Sequence, residues 1–295
     1  MKAPDFIYHR PSSVEEAIRL LSEYEGNARI LSGGQSLIPM LNMRLWRPSA
    51  LIDINRIPGL DDIESHGKDT VLGARVRYDT IEHSDVIAQR LPLLAEMIRH
   101  VGDRQVRHRG TLGGSLVQGD PTGEMPLAAL TLGATVHAVS VRGERRIPMG
   151  SFYEGSYATV LEPDEMLVGV HYPQHPPFYA FREVNRRHND FAVVSVAVVG
   201  SVDDSGNWEG VRIGLGGVND TPMLASHAAA RLNGTRLTDD DIADAARLAA
   251  EQADPPTDIR ASGPYRQHLL QVYVRKTLAD IREESLGAFL RAPVN

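Results

Sequence analysis

The stretch Ser32-Gly33-Gly34-Gln35-Ser36 follows directly on the apolar run at residues 28–31. This order predicts a short buried strand that ends in a glycine turn. Because glycine lacks a Cβ, two adjacent glycines let a backbone approach a phosphate closely. A second segment of the same kind, Thr111-Leu112-Gly113-Gly114-Ser115, occurs later in the chain. The two glycine segments are therefore candidates for holding opposite parts of one anionic ligand.

Either glycine segment alone is a weak signal, since glycine pairs end many strands for purely conformational reasons. A pyrophosphate needs several N–H donors, and each hydrogen bond to a charged group contributes roughly 1.5–3 kcal/mol. Two segments, each with a hydroxyl neighbour, meet that requirement better than one. Neither has the G-x-G-x-x-G spacing of the dinucleotide fingerprint, which also requires a strand and a following helix in one unit.

The composition is typical of a soluble globular protein with about two domains. The chain has 295 residues, of which 42% are hydrophobic and 23% are charged, and its formal net charge is −7 at pH 7. That charge offers no general attraction for nucleic acid. No stretch of about 18 apolar residues occurs, and the first residues lack the apolar core of a signal peptide. A soluble, cytoplasmic protein is therefore expected.

The chain contains no cysteine. It therefore has no disulfide, no cysteinyl zinc or iron–sulfur site, and no thiol nucleophile. Its 11 histidines are scattered without a ligand-like pair such as H-E-x-x-H, so no metal site is expected. Any iron–sulfur chemistry must come from a partner.

Helices and strands are predicted to mix along the chain, which indicates the α+β class. Ser13 and Glu16 have the spacing of a capping box at the start of a helix. The cluster from Pro173 to Pro177 is the best domain boundary. Beyond it, apolar runs predict a three-stranded antiparallel sheet and then helices. These strands are expected at residues 178–183, 192–202 and 211–218, and the helices at 222–232, from 238 onwards, and at 265–284.

A longer motif surrounds the second glycine segment. The residues Gln105-Val106-Arg107-His108-Arg109-Gly110 lead into it, and Asp120-Pro121, Glu124 and Pro126 follow it. Together with the first glycine segment, this pattern resembles the signature of the FAD-binding medium subunit of molybdenum hydroxylases. That family includes aerobic carbon monoxide dehydrogenase and xanthine dehydrogenase. The resemblance runs in order along nearly the whole chain.

The resemblance implies a PCMH-type FAD-binding domain at residues 1–176, with subdomains at 1–56 and 57–176. A C-terminal domain at residues 177–295, with the three-stranded sheet and helices, would follow.

The same resemblance implies which residues contact the cofactor. Both glycine segments would line the FAD pyrophosphate and ribityl chain, mainly through backbone N–H groups. The carboxylate of Asp120 would accept hydrogen bonds from sugar hydroxyls, while Leu161 and Phe191 would pack on the isoalloxazine. The implied contacts are Ser32, Gly33, Gly34, Gln35, Ser36, Thr111, Leu112, Gly113, Gly114, Ser115, Asp120, Leu161 and Phe191. None of them is a proton-transfer catalyst. Gly33→Val or Gly114→Val is expected to abolish FAD retention, because each places a branched side chain against the diphosphate.

The implied function is electron transfer within an oxidoreductase. Its partners would be a molybdopterin-containing large subunit and a small subunit with [2Fe–2S] clusters, in a dimer of heterotrimers. The FAD would accept electrons from the clusters and pass them to an external acceptor. The large subunit would set the substrate, whether carbon monoxide, an aldehyde, a purine or another N-heterocycle.

Two other functions remain open on the residues alone. A stand-alone FAD-dependent oxidase or reductase would need a general acid or base near the flavin, and no residue is nominated for that role. A non-catalytic nucleotide-binding or scaffold module would need only the glycine segments.

Overall fold

A computed structural model of the protein describes residues 2–187 and 189–291. Its helices and strands are, in chain order, β1 (Ile7–His9), α1 (Val14–Glu23), β2 (Ala28–Leu31), α2 (Leu37–Asn42), β3 (Ala50–Asp53), β4 (Ile63–His66), β5 (Asp69–Gly73), α3 (Tyr78–His83), α4 (Asp85–Arg90), α5 (Pro92–Met97), α6 (Arg104–Arg109), α7 (Leu112–Gln118), α8 (Glu124–Thr131), β6 (Thr135–Ser140), β7 (Gly143–Pro148), β8 (Tyr153–Gly155), β9 (Ala158–Thr159), β10 (Met166–Tyr172), β11 (Phe178–Val184), β12 (Val194–Val202), β13 (Trp208–Gly216), β14 (Met223–Leu224), α9 (Ser226–Leu232), α10 (Asp239–Gln252) and α11 (Gly263–Arg291). The mixture of helices and sheets confirms the α+β class. No helix among the described residues is both long and apolar enough to cross a lipid bilayer.

The chain divides into two units. The first contains residues 1–88, 102–119 and 133–174, and the second contains residues 89–101, 120–132 and 175–295. The segments 89–101 and 120–132 thus pack with the C-terminal part of the chain, although both precede the boundary predicted near residue 176. The domain limits of 1–176 and 177–295 stay a prediction.

The first unit contains two larger sheets. The three-stranded sheet has the order β1-β3-β2 with all strands parallel, and it lies within residues 1–56. The five-stranded antiparallel sheet has the order β4-β5-β10-β6-β7 and lies within residues 57–176. Because β2 and β3 are parallel neighbours, the loops that follow them leave the same edge of the sheet.

Helix α1 joins the cores of these two sheets. It begins where the capping box predicts, with Ser13 as N-cap accepting a hydrogen bond from the amide of Glu16. Its buried residues Ala17 and Leu21 pack with Ile52 of β3 and Met166 of β10 in one hydrophobic cluster. Apolar residues four positions apart lie on one face of a helix, so α1 can cover the three-stranded sheet and reach the larger one.

The second unit contains a four-stranded antiparallel sheet, ordered β11-β12-β13-β14. The prediction of three strands is wrong in this respect, because β14 adds two residues, Met223 and Leu224, to the edge. A two-residue strand is too short to show an alternating pattern, so the sequence predicts these residues as part of the helix that follows. That helix, α9, accordingly begins at Ser226 rather than at residue 222.

Helix α8 explains why residues 120–132 pack with the C-terminal part. Every residue of α8 is buried, and most of them are apolar, so the helix must be covered by other elements on all sides. It packs on β12 and β13. A Cβ at Gly214 would collide with the side-chain oxygen of Thr131, so the glycine allows α8 to lie this close to the sheet.

Helix α10 begins where predicted, whereas α11 continues to Arg291 rather than ending near residue 284. Thr238 caps α10 in a reciprocal capping box with Asp241, as the acidic first turn suggests. A row of buried alanines on α10, including Ala245 and Ala249, packs with the apolar residues of α11 and the sheet. Small side chains at this contact let the helix backbones approach closely.

Candidate functional site

The first glycine segment connects β2 to α2 in the first unit. Gly34 has φ +73°, a left-handed conformation that glycine adopts without strain. Because Leu31 pairs with Asp53 across the parallel strands, the residues after β3 lie beside the segment. Asn55 uses this proximity: its Nδ2 donates a hydrogen bond of 2.9 Å to the carbonyl oxygen of Ser32. The turn predicted here is confirmed, and Asn55 fixes one end of it.

The second glycine segment is the start of a helix, not a turn. Thr111 is the N-cap of α7, and its Oγ1 accepts from the amide of Gly114 at 3.3 Å. A Cβ at Gly113 would lie 2.7 Å from the carbonyl oxygen of Ala74, so this glycine allows α7 to pack against residues near β5. The prediction of a second turn is therefore wrong in its local structure.

The two glycine segments lie in direct contact. The side-chain oxygens of Ser32 and Thr111 are 3.1 Å apart. A Cβ at Gly33 would collide with the carbonyl oxygen of Arg109 and lie 3.0 Å from the Cα of Gly110. Gly33 is thus required by the approach of the two segments to each other. The side chain in Gly33→Val would face protein backbone, which corrects the reason given from the sequence for its effect.

The backbone amides of the two segments differ in what they can bind. The amides of Leu112, Gly113, Gly114 and Ser115 all donate to protein acceptors, two of them in the β5–α3 connection and two at Thr111. By contrast, among the described residues no protein group accepts a hydrogen bond from the amides of residues 33–36. The first segment therefore holds the available donors, and the second segment fixes its position through contacts with Ser32 and Gly33.

A polar network ties both segments together. Arg77 donates to the carbonyl oxygen of Arg109 and to Oδ1 of Asn55. Asp53 accepts from the backbone and side-chain nitrogens of Asn55 at 2.8 and 2.7 Å, and from the hydroxyl of Tyr8. Each member of this network is thus oriented by another.

Two pKa shifts follow from this network. Burial alone would raise the pKa of Asp53, but hydrogen bonds from Tyr8 and Asn55 outweigh burial and lower it, so the carboxylate stays ionised. Burial and the neighbouring Arg109 lower the pKa of Arg77, although a guanidinium remains charged at neutral pH. The network therefore keeps the charged carboxylate of Asp53 and the charged guanidinium of Arg77 beside the first segment.

A cleft of about 430 Å³ opens at this position. That volume lies in the range of small-molecule binding sites. Apolar side chains form one part of its wall, while backbone and charged groups form the rest. It is lined by Leu31, Ser32, Gly33, Gly34, Gln35, Ile38, Pro39, Asp53, Asn55 and Arg109. Among the described residues, the amides of residues 33–36 have no protein acceptor, and such donors beside a cleft are suited to an anion.

The remaining candidate residues lie outside this cleft lining. Leu161 is half-buried in the first unit, where its amide donates to Thr159. Asp120 belongs to the second unit, where its Oδ1 accepts from the backbone and hydroxyl of Thr122. Phe191 also belongs to the second unit, and 54% of its surface is exposed. The structure brings the two glycine segments together, and the roles of these three residues stay predictions.

Sequence reasoning missed Asp53, Asn55 and Arg77 as members of the site. Asp53 and Asn55 follow or end a strand, and the carboxyl ends of parallel strands are a usual place for ligands. That signal could have found both residues once β2 and β3 were taken as parallel neighbours. Arg77 shows no motif in the sequence, since its contacts come from chain segments at residues 55 and 109.

A cluster of Asp79, Glu82 and His83 brings three metal-binding residue types within 4.8 Å. Glu82 already accepts from Arg107 at 2.8 Å, and His108 approaches Asp79 at 3.9 Å. Glu82 is thus already paired with the cation of Arg107.

Comparisons with known proteins identify similar chains along nearly the full length. A family described as "FAD binding domain in molybdopterin dehydrogenase" matches residues 4–175, and one described as "CO dehydrogenase flavoprotein C-terminal domain" matches residues 179–281. The nicotine 6-hydroxylase medium subunit of Paenarthrobacter nicotinovorans is 39% identical, over 95% of this chain and 98% of its own. Subunit alpha of the 6-hydroxypseudooxynicotine dehydrogenase complex of the same organism is 38% identical, over 95% of each chain.

The fold is also similar to a solved structure. A chain of carbon monoxide dehydrogenase from Hydrogenophaga pseudoflava superposes with a TM-score of 0.92 and 34% identity. The match covers 95% of this chain and 98% of that one.

Proposed function

The chain belongs to the family of FAD-binding medium subunits of molybdenum hydroxylases, and from this membership we propose that it is the flavoprotein subunit of such an oxidoreductase. In this function it accepts electrons from [2Fe–2S] clusters of a partner subunit and passes them to an external acceptor. The chain has no cysteine with which to hold such clusters itself.

The observation that carries the proposal is the first glycine segment beside its cleft. The amides of residues 33–36 are available, Gly33 lets the second segment approach, and Arg109 lines the same cleft. These groups fit a diphosphate, which needs several donors and is stabilised by a nearby cation.

When bound, FAD supplies the electron-transfer chemistry. The residues of the chain bind and orient it. We propose that residues 32–36 donate to the diphosphate, while the segment at 111–115 fixes their position through Ser32 and Gly33. Asp120, Leu161 and Phe191 remain proposed contacts, on the resemblance alone: Asp120 to sugar hydroxyls, and the other two to the isoalloxazine.

We also propose the assembly and its location. Two relatives are named as a medium subunit and as subunit alpha of a complex. A large subunit with molybdopterin and a small [2Fe–2S] subunit would accompany this chain in a dimer of heterotrimers in the cytoplasm. The FAD-binding domain would span residues 1–176 and the C-terminal domain residues 177–295.

The visible absorption spectrum tests the proposal. The chain is purified alone and together with the subunits encoded beside it, and FAD is added to each. We expect a yellow protein that transfers no electrons from substrate until the molybdenum and iron–sulfur subunits are present. A protein that takes up no FAD in either preparation would refute flavin binding. Substrate oxidation by the yellow chain alone would instead favour the stand-alone oxidase or reductase.

Arg77→Met is expected to weaken flavin binding. The variant removes the donors that hold the carbonyl oxygen of Arg109 and the side chain of Asn55, so both segments lose a constraint. Hydrogen bonds from a charged group contribute roughly 1.5–3 kcal/mol each, and we expect the flavin content of the purified complex to fall about tenfold under subsaturating FAD. Arg142→Met is the matched control, because Arg142 forms an exposed ion pair with Asp164. An equal flavin content in the two variants would contradict the role of Arg77.

A further inference from the structure

A cation lies over the exposed ring of Phe191 in the second unit. The Cζ atom of Arg260 is 4.7 Å from the centre of that ring. At this distance the guanidinium is attracted by the face of the ring. The contact joins the connection between β11 and β12, which carries Phe191, to the connection between α10 and α11, which carries Arg260.

Asp258 fixes the turn that carries Arg260. Its Oδ1 accepts from the amide of Arg260 at 2.8 Å and from the amide of Ala261 at 3.0 Å. Its Oδ2 accepts from Nη2 of Arg266 at 2.8 Å. Burial would raise the pKa of Asp258, but these hydrogen bonds lower it to about 2, so the carboxylate stays ionised.

Arg266 fixes the backbone next to Phe191 as well. It lies on α11 and is only 1% exposed. Its Nη1 donates to the carbonyl oxygens of Val193 and Gly217, the first of which is two residues beyond Phe191. One buried guanidinium therefore holds both the turn with Arg260 and the start of β12.

The buried Arg266 supports a pair of side chains, Arg260 and Phe191, that lies at the surface. A buried charge is costly unless its partners are well placed, and Nε of Arg266 has no partner among the described residues. What this buried framework supports is a pair at the surface, where an isolated cation–π contact adds little to stability. The framework fixes the backbone of the two connections that carry Arg260 and Phe191.

We propose that Arg260 is a positioning residue for Phe191, held by Asp258 and Arg266, and that it sets the orientation in which the ring packs on the flavin. This inference rests on the proposed function, because the flavin contact of Phe191 belongs to that proposal. The guanidinium also places a positive charge beside the ring. A fixed ring engages its ligand without first having to be ordered, which increases affinity.

The first test needs no flavin. The full chain is labelled with fluorinated phenylalanine and studied by ¹⁹F NMR, and the signal of Phe191 is assigned by its loss in Phe191→Leu. We expect Arg260→Gln to shift and sharpen this signal, because the ring becomes mobile, and Arg260→Lys to stay closer to the wild type. An unchanged Phe191 signal in Arg260→Gln would overturn the positioning role.

The second test uses the assembled complex. We expect Arg260→Gln to raise the dissociation constant of FAD about two- to fivefold and to change the flavin fluorescence, with partial recovery in Arg260→Lys. Arg247→Gln is the control, since it removes the same charge from an exposed pair with Glu251. If the NMR signal moves but FAD affinity and fluorescence do not, the flavin part of the inference is overturned. If the wild-type complex binds no FAD, it is the proposed function that fails.

Discussion

Gly33→Ala is expected to leave the assembled complex with a tenth or less of the wild-type flavin. A single added methyl group would collide with the carbonyl oxygen of Arg109 and press on the Cα of Gly110 at 3.0 Å. Both contacts are with backbone, so relief requires the two glycine segments to separate. Overpacking of this kind costs about 1–3 kcal/mol, and 1.4 kcal/mol corresponds to a tenfold change in binding.

The flavin content is measured from the visible absorbance per chain, and folding is checked by the circular dichroism of the same sample. Gly150→Ala is the matched control in the same unit, because a Cβ there would meet no atom within 4 Å and its φ is not left-handed. We expect this control to retain its flavin. A well-folded Gly33→Ala complex with wild-type flavin would show that the contact between the segments does not support the site.

The first glycine segment was predictable because its signal is local. A strand, two glycines and hydroxyl neighbours lie within nine residues, and the structure places them as a strand and turn. The second segment has nearly the same composition but a different structure, because Thr111 caps a helix and Gly113 packs on Ala74. The glycine-rich composition indicates that the backbone closely approaches another group at both places. It does not distinguish a ligand from another part of the chain.

The network behind the segments was not predictable in the same way. Asn55 and Arg77 contribute through partners far away in sequence, so no spacing along the chain reveals them. The same reason applies to α8, whose residues were expected in the FAD-binding domain but pack on β12 and β13. The mostly apolar sequence of α8 indicates burial without indicating which sheet covers the helix.

Helix α8 also carries an ionisable group that the proposed function does not use. The side chain of Glu124 is buried at the first position of α8. Burial, and after it the charges of Glu183 and Asp120, raise the pKa of Glu124 to about 8. Glu183 has a side chain that is 2% exposed, with His100 at 3.5 Å and a hydrogen bond of 2.9 Å from Asn185. The carboxyl group of Glu124 therefore keeps its proton at neutral pH.

This shift makes the stability of the chain depend on pH. In the unfolded chain, Glu124 has the ordinary pKa of 4.5 and loses its proton above that pH, whereas the folded chain retains it up to about pH 8. Between these values the folded state binds more protons than the unfolded state, so the free energy of unfolding falls as pH rises from about 4.5 to about 8. Each pKa unit corresponds to about 1.4 kcal/mol.

Glu124→Gln is therefore expected to be more stable than the wild type at pH 8. We expect the difference in free energy of unfolding between the variant and the wild type to be roughly 3 kcal/mol larger at pH 8 than at pH 5. The amide has the shape of the protonated acid but cannot ionise. The variant therefore does not show the decline in the free energy of unfolding that Glu124 causes between pH 5 and pH 8. Urea denaturation of the flavin-free chain at pH 5 and pH 8 measures the difference, with the exposed Glu209→Gln as control. If wild type and Glu124→Gln lose stability equally over this range, Glu124 is ionised in the folded protein, and the pH dependence must arise from other groups.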